Sequence, residues 1–177
     1  MAEARRRVFV ALWPDPPAAD RLDELSAAAH TVCGGRRMRR DTLHLTLDFI
    51  GDVAASRLPD IGAALAGVRG EAFRLCVDSI GYWKHNRIVW AGCRAWPTAL
   101  DALVGELRHA LAGIGLASGR EGAAFFPHVT LLRKGHAAER LPPVEPIDWP
   151  VTEWVLVESD LTGSGAAYRR LAAWPLK

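Results

Sequence analysis

The sequence predicts an α+β fold made from a duplicated αβ unit, whose two copies pack as pseudo-symmetric lobes about a twofold axis. Three observations predict it. The chain has 177 residues, of which 50% are hydrophobic and 24% are charged, and this is typical of one globular domain covering residues 1–177. Strand-like and helix-like segments follow one another in the same order in each half. Similar segments also recur at a nearly constant offset.

The first half begins with a strand and an amphipathic helix. Residues 7–13 are a short β-branched and aromatic run, which predicts a buried strand. Asp15 is placed to cap a helix whose apolar residues recur at helical spacing until Gly34. A strand over residues 43–50, a weaker helix and a strand over residues 73–80 complete this half.

The second half repeats this order. A turn at residues 84–86 leads into its first strand, and its best helix starts after Pro97, where Thr98 and Asp101 resemble a capping box. The strands predicted in this half cover residues 87–91, 126–132 and 151–158, and the chain closes with residues 168–174.

Three pairs of similar segments support the duplication. They are residues 7–11 with 87–91, 44–47 with 128–131, and 73–77 with 153–157, at offsets of 80, 84 and 80 residues. Two copies are too few for a solenoid, which needs about three stacked repeats. We therefore expect a single domain with two interleaved lobes.

Each half contains one His-x-Thr motif on a predicted strand. Side chains of a strand alternate between its two faces, so His44 and Thr46 share one face while the leucines between and beside them share the other. His128 and Thr130 are arranged in the same way. If the duplicated strands face each other across a groove, two imidazoles and two hydroxyls converge there.

This set of side chains suits attack on a phosphodiester. One imidazole can take a proton from water or a ribose hydroxyl while the other protonates the departing oxygen. Threonine hydroxyls can donate hydrogen bonds to the non-bridging phosphate oxygens. The chemistry requires no metal and no other cofactor. A metal site is the alternative, for which Asp48 is the carboxylate in register with the motif face, and the second copy carries Leu132 at that position.

With their flanking residues, the two motifs resemble those of the two-histidine (2H) phosphoesterases, specifically the RNA 2',3'-cyclic phosphodiesterase family, also called 2'-5' RNA ligase-like proteins. The stretches that carry the resemblance are residues 7–12, 43–51 and 126–133 and, near the end of the chain, residues 156–159, Gly165, Tyr168 and residues 171–176. The resemblance implies two lobes, each a mainly antiparallel sheet with helices on its outer face, and an active site in the central cleft.

The same resemblance implies an activity, the opening of a 2',3'-cyclic phosphate at an RNA 3' end to leave a 2'-phosphate. It implies that His44 donates a proton to the leaving 3' oxygen and that His128 accepts one from the attacking water. Thr46 and Thr130 are implied to hold the phosphate, and Arg133 to bind substrate. From the residues alone, the two histidines are interchangeable.

Basic residues flank both motifs. Arg36, Arg37, Arg39 and Arg40 precede the first, while Arg133 and Lys134 follow the second, and like charges on both sides attract a polyanion through salt-dependent contacts. Members of the family often carry an aromatic residue where this chain has Met38. We expect Phe9, Phe49 and most of the seven tryptophans to pack in the core.

Three other functions remain open. The same site run backwards performs 2'-5' ligation of RNA ends, a small cyclic phosphate nucleotide can replace RNA as substrate, and a non-catalytic module can bind RNA ends. Binding alone does not need two titrating groups, which argues against the module. The chain has three cysteines without CxxC spacing and no apolar run near the ~18 residues of a membrane span. We therefore expect a cytoplasmic monomer that does not contact membranes.

Overall fold

A computed structural model of the chain describes residues 3–116, 124–162 and 165–177. The described residues form three α-helices and ten strands. In chain order these elements are β1 (Arg5–Leu12), α1 (Pro16–Cys33), β2 (Arg36–Arg37), β3 (Leu45–Ala54), α2 (Leu58–Ala66), β4 (Phe73–Val77), β5 (Ser79–Trp83), β6 (Ile88–Gly92), α3 (Thr98–Gly113), β7 (His128–Arg133), β8 (Ile147–Val151), β9 (Glu153–Thr162) and β10 (Gly165–Pro175).

Most strands belong to one antiparallel sheet with the order β10-β9-β1-β3-β7-β6-β5. The short β2 pairs with β7, and β4 pairs with β8 in a separate two-stranded sheet. The strands β3 and β7 meet at the middle of the large sheet through one pair, Leu45 and Val129. The predicted α+β class with mainly antiparallel sheets is confirmed.

Equivalent strands follow one another in the same order on the two sides of this central pair. β1 lies beside β3 as β6 lies beside β7, and β9 and β5 occupy the next positions outward. The helices cross between the halves, because α1 packs on β7 and β8 while α3 packs on β3. Ser26 of α1, for example, donates a hydrogen bond of 3.3 Å to the carbonyl of Leu131.

Two of the three predicted repeat alignments are wrong in detail. Thr46 lies opposite Ala11, whereas Thr130 lies opposite Trp90, so residues 7–11 match 86–90 and not 87–91. A slip of one residue exchanges the two faces of a strand. The third alignment matched β4 with β9, but β9 belongs to the large sheet. The strand equivalent to β4 is β8, which pairs with β4 in the two-stranded sheet.

The local signals for helices and strands also gave mixed results. Asp15 caps α1 as predicted, since its carboxylate accepts a hydrogen bond of 3.2 Å from the amide of Ala18. The capping box at α3 is wrong, because Pro97 is the N-cap and Asp101 accepts from the indole N–H of Trp96 at 3.0 Å. The strand predicted over residues 73–80 is two strands that belong to different sheets.

The main core fills the space between the large sheet and the helices. It includes the predicted stripe of α1 and the leucines of β3, namely Ala18, Leu22, Leu25, Ala29, Leu45 and Leu47, all at most 8% exposed. Burying one such leucine contributes about 1.5–3 kcal/mol to folding. None of the helices in the described part of the chain is long and apolar enough to cross a membrane.

Candidate active site

The two His-x-Thr motifs meet where the halves of the sheet join. Leu45 and Val129 form the pair between β3 and β7 and point into the core. The neighbouring side chains therefore point to the other face, and His44, Thr46, His128 and Thr130 are all half-buried there. In antiparallel register, each histidine lies opposite the threonine of the other motif. The two histidines are therefore diagonal neighbours across the strand pair, and such neighbours are about 7–8 Å apart at Cα. Both imidazoles thus share one surface, as predicted.

The same backbone contact orients both rings. Nδ1 of His44 is 2.7 Å from the carbonyl of Thr42, and Nδ1 of His128 is 2.9 Å from the carbonyl of Phe126. Nδ1 donates in each case because a carbonyl only accepts. The proton of a neutral ring is thus held on Nδ1, and Nε2 keeps a lone pair. Each Nε2 can accept a proton when its ring is neutral and donate one when its ring is charged.

The ring of His44 lies in an aromatic cluster. Trp13 is parallel to it at a centroid distance of 4.9 Å, Phe9 is tilted at 5.0 Å, and Tyr168 meets it edge-on at 5.1 Å. The pKa of His44 is lowered from 6.5 to about 4, mainly by burial; the hydrogen bond to the Thr42 carbonyl opposes this shift, and the charges of Arg133 and His128 add to it. His44 is therefore neutral at pH 7 in the free protein.

His128 has its own aromatic neighbours, which come from β5 and from the segment that precedes β7. Trp83 of β5 contacts its ring edge-on at a centroid distance of 4.6 Å, and Phe126 lies at 6.2 Å with nearly parallel planes. Trp90 of β6 packs edge-on against Phe126 at 4.9 Å. The expectation that most tryptophans lie in the core is therefore wrong.

Only two of the seven tryptophans are fully buried, Trp149 and Trp154. Phe9 is buried as expected, at 4% exposure, but in a small cluster that also contacts Trp13, Phe49 and Tyr168 and is separate from the main core. Trp13 and Tyr168 are site residues that the sequence reasoning missed. Trp13 is the last residue of the first predicted strand, and this position was the available signal.

A β-bulge follows each motif. The register between β6 and β7 shifts so that Thr130 and Leu132 face consecutive residues of β6, and both Leu131 and Leu132 are fully buried. Bulges of this kind redirect the side chains that follow them. As a result, Arg133 lies on the face of the histidines, in agreement with the effect of its charge on His44. Simple alternation would have placed it on the core face.

The equivalent bulge in β3 changes the assignment of Asp48. Thr46 and Asp48 face consecutive residues of β1, and Asp48 is only 2% exposed, with Arg108 of α3 at 3.7 Å. Asp48 thus points away from the motif face, on which the alternative of a metal site depended, and Phe49 occupies the position equivalent to Arg133. Among residues 3–116, 124–162 and 165–177, no three His, Cys, Asp or Glu side chains are grouped so that they could hold a metal ion.

The basic segment before the first motif is largely neutralised. Arg37 pairs with Asp23 at 2.7 Å, Arg39 with Asp41 at 3.0 Å and Arg40 with Asp20 at 2.5 Å. Arg36 lies beside Arg133 in the pairing of β2 with β7, and neither forms a salt bridge within the described residues. The cationic surface at the site is therefore smaller than the sequence suggested. Met38 is 8% exposed and belongs to the core, so it offers no surface for stacking a base.

Comparisons with known proteins agree with the motif resemblance. A family model for LigT-like phosphoesterases matches residues 12–90. The RNA 2',3'-cyclic phosphodiesterase of Escherichia coli (strain K12) is 35% identical over 144 residues, which cover 80% of each chain. The crystal structure of E. coli LigT in apo form has a TM-score of 0.86 at 30% identity over 99% of both chains. Its complex with 3'-AMP gives the same TM-score over 98% of this chain and 99% of that chain. The chain therefore belongs to the LigT-like family of two-histidine phosphoesterases.

Proposed function

We propose that the protein hydrolyses the 2',3'-cyclic phosphate at RNA 3' ends to a 2'-phosphate, with two histidines acting as acid and base. The observation that carries the proposal is the matched orientation of the two rings, each of which has Nδ1 fixed on the carbonyl of the residue two positions earlier. A cyclic phosphodiester needs two proton transfers, one at the entering oxygen and one at the leaving oxygen. The similarity to RNA 2',3'-cyclic phosphodiesterases supports this substrate class.

The reaction balances with water as the only other reactant. Water attacks the phosphorus and its proton passes to Nε2 of His128. The bond between phosphorus and the 3' oxygen breaks, and that oxygen takes a proton from Nε2 of His44. Thr46 and Thr130 donate hydrogen bonds to the non-bridging oxygens, where negative charge increases in the transition state. Arg133 binds the phosphate from the β7 side.

The low pKa of His44 sets a condition on this assignment. His44 is neutral in the free protein at pH 7 and must acquire a proton before it can donate one. A bound phosphate supplies a negative charge beside the ring, which favours the protonated form. His44 therefore takes up its proton with the substrate. The reverse assignment, with His44 as base, is favoured by the free protein alone, so it needs a direct test.

The primary experiment uses an oligonucleotide that ends in a 2',3'-cyclic phosphate, incubated with the protein in EDTA. We expect complete conversion to the 2'-phosphate at an undiminished rate. A 3'-phosphate product, or no product, would contradict the proposal. The addition of an RNA with a free 5'-hydroxyl reveals ligation, and a cyclic mononucleotide in a parallel reaction reveals a preference for small substrates.

The roles of the two histidines are separated with a substrate whose leaving 3' oxygen is replaced by sulfur. A thiolate leaves without protonation, so a variant that lacks the acid is rescued and a variant that lacks the base is not. We expect the sulfur substrate to restore most of the rate in His44→Ala and little in His128→Ala. Rescue of His128→Ala alone would show that the two roles are reversed. The proposed overall reaction would still stand.

We also propose that the protein acts as a monomer in the cytoplasm, as one domain over residues 1–177. Both motifs come from one chain, so the site is built without a partner. The crossing of α1 onto strands of the second half supports one cooperative unit. Cys33, Cys76 and Cys93 are free thiols, which suits a reducing compartment. Light scattering tests the monomer, since a stable dimer would double the measured mass.

A further inference from the structure

Trp13 directly follows β1 and covers one face of His44. The indole and imidazole centroids are 4.9 Å apart, and the two planes differ by 13°, a parallel stacked arrangement. A ring stacked in this way excludes water from the face that it covers. It also leaves the imidazole little freedom to rotate about its χ2 bond, which sets the direction of Nε2.

Trp13 is itself held in place by the turn that holds His44. Its indole N–H donates a hydrogen bond of 3.2 Å to the carbonyl of Asp41. The next carbonyl, that of Thr42, accepts from Nδ1 of His44 at 2.7 Å. Two successive carbonyls of the short turn Arg40–Thr42 thus fix the two stacked rings relative to each other.

Arg170 of β10 provides a further contact to the indole. The central carbon of its guanidinium lies 5.3 Å from the centroid of the Trp13 ring, a cation–π contact. Arg170 is fixed in turn by Glu153, with an N–O distance of 3.2 Å. The indole is therefore fixed by contacts from β10 and from the turn. A side chain that only fills space does not need both.

We propose that Trp13 is a positioning residue for the reaction, which fixes the plane of the His44 imidazole and keeps water from one of its faces. The proposal rests on the proposed function, in which Nε2 of His44 acts on the substrate. Trp13 itself touches no reacting atom. A misplacement of about 1 Å at a reacting group can cost about 100-fold in rate, so a side chain that fixes Nε2 affects turnover without contributing to affinity.

The charged groups near His44 are known and remain unchanged when Trp13 is replaced. Arg133 and His128 of β7 act on His44 electrostatically, Tyr168 of β10 contacts its ring edge-on, and Arg170 lies beyond the indole. Removal of the indole therefore changes mainly the access of water to the ring. Since water stabilises the charged form, the pKa of His44 is expected to rise toward its ordinary value.

The test is an NMR titration of the imidazole protons in the full chain without substrate, combined with kinetics. We expect Trp13→Leu to raise the pKa of His44 by about one unit, and Trp13→Phe, with its smaller ring, to raise it less. In Trp13→Leu, kcat should fall about 10-fold while KM stays within about twofold, and Trp13→Phe should recover most of kcat. The control is Trp174→Leu, which removes a ring stacked on Trp154 at 4.4 Å.

An unchanged His44 titration in Trp13→Leu, or an equal loss in Trp174→Leu, overturns the proposal. If Trp13→Leu does not fold, Trp13→Phe decides, and a His44 pKa equal to that of the wild type overturns it. Failure of the proposed function is distinguishable, because the titration needs no substrate. A wild-type protein that leaves cyclic phosphates intact removes the function, while a His44 pKa that responds to Trp13 still supports the control of the ring by the indole.

Discussion

The two halves of the cleft are alike in some contacts and different in others. Both histidines use Nδ1 to bind the carbonyl two residues earlier, both are followed by a threonine on the same face, and both motifs end in a bulge. The difference begins after the bulge, where one half has Arg133 and the other has Phe49. The histidines and threonines are thus retained in both copies, while their surroundings have diverged.

The aromatic surroundings differ in origin as well. The neighbours of His44 come from β1 and β10, namely Phe9, Trp13 and Tyr168, whereas those of His128 include Trp83 from β5. Two groups of similar geometry can act as acid and base, and a difference between their surroundings can set which group takes which role. The comparison shows that the repeated motifs can give the two histidines the same geometry. The aromatic surroundings, which are not repeated, can make the two histidines different.

The largest effect is expected from removing either imidazole. His44→Ala and His128→Ala should each lower kcat at least about 100-fold, since general acid–base groups contribute about 10²–10⁴-fold. Affinity for RNA should remain, because the threonines and Arg133, which we propose to contact the phosphate, are unchanged. Single-turnover kinetics and a binding titration measure the two quantities. Near wild-type turnover in one variant would remove that histidine from the mechanism and end the equivalence of the two halves.

The next effect is expected from the two threonines. Thr46→Val and Thr130→Val preserve shape and remove one hydroxyl each, and each should lower kcat/KM about 10- to 100-fold, at or below the loss for an oxyanion-hole donor. Because the two positions are related by the repeat, their losses should be similar. Steady-state kinetics compares them directly. A large loss in one and none in the other would show that the phosphate is held from one side.

A smaller effect is expected from the position at which the halves differ. Arg133→Gln should raise KM about 3- to 10-fold and reduce the dependence of binding on salt by about one phosphate contact. It should also raise the pKa of His44, because the charge of Arg133 lowers it. Phe49→Leu is the matched control at the equivalent position. Equal salt dependence in Arg133→Gln and the wild type would show that Arg133 does not reach the phosphate.

The last effect concerns folding stability and not catalysis. The pKa of His44 is about 4 in the folded chain and 6.5 as the reference value, so the unfolded chain binds one more proton between these values. The contribution of neutral His44 is therefore present above pH 6.5 and is lost as the pH falls toward 4, by at most about 3 kcal/mol. Urea unfolding from pH 4 to 7 measures the slope.

The variant His44→Gln should flatten this slope, and His85→Gln, in an exposed turn, serves as the control. An unchanged slope in His44→Gln would mean that the pKa of His44 is not lowered in the folded chain. This outcome would contradict the effect of the aromatic surroundings on His44.

Much of the fold and the centre of the site could be predicted from sequence because they depend on local patterns. Alternation around Leu45 and Val129 is enough to place both histidines and threonines on one face. The cap at Asp15 is also local, since its carboxylate binds an amide only three residues away.

The parts that could not be predicted depend on pairing between distant strands. The bulges that turn Arg133 toward the histidines and Asp48 away from them arise from registers with β6 and β1. A pattern in one strand does not contain that register. The same reason explains the slip of one residue in the first repeat alignment, and the separation of β4 and β5 into different sheets. The contact of Trp13 with His44 joins residues 31 positions apart and has no periodic signal.

The most direct test of the central claim is a crystal structure with a nucleoside vanadate, which mimics the five-coordinate phosphorus of the transition state. The account predicts Nε2 of His44 and Nε2 of His128 within about 2.6–3.2 Å of two different vanadate oxygens, with the hydroxyls of Thr46 and Thr130 on the remaining ones. A vanadate held by one imidazole alone, or bound away from the join of β3 and β7, would contradict it.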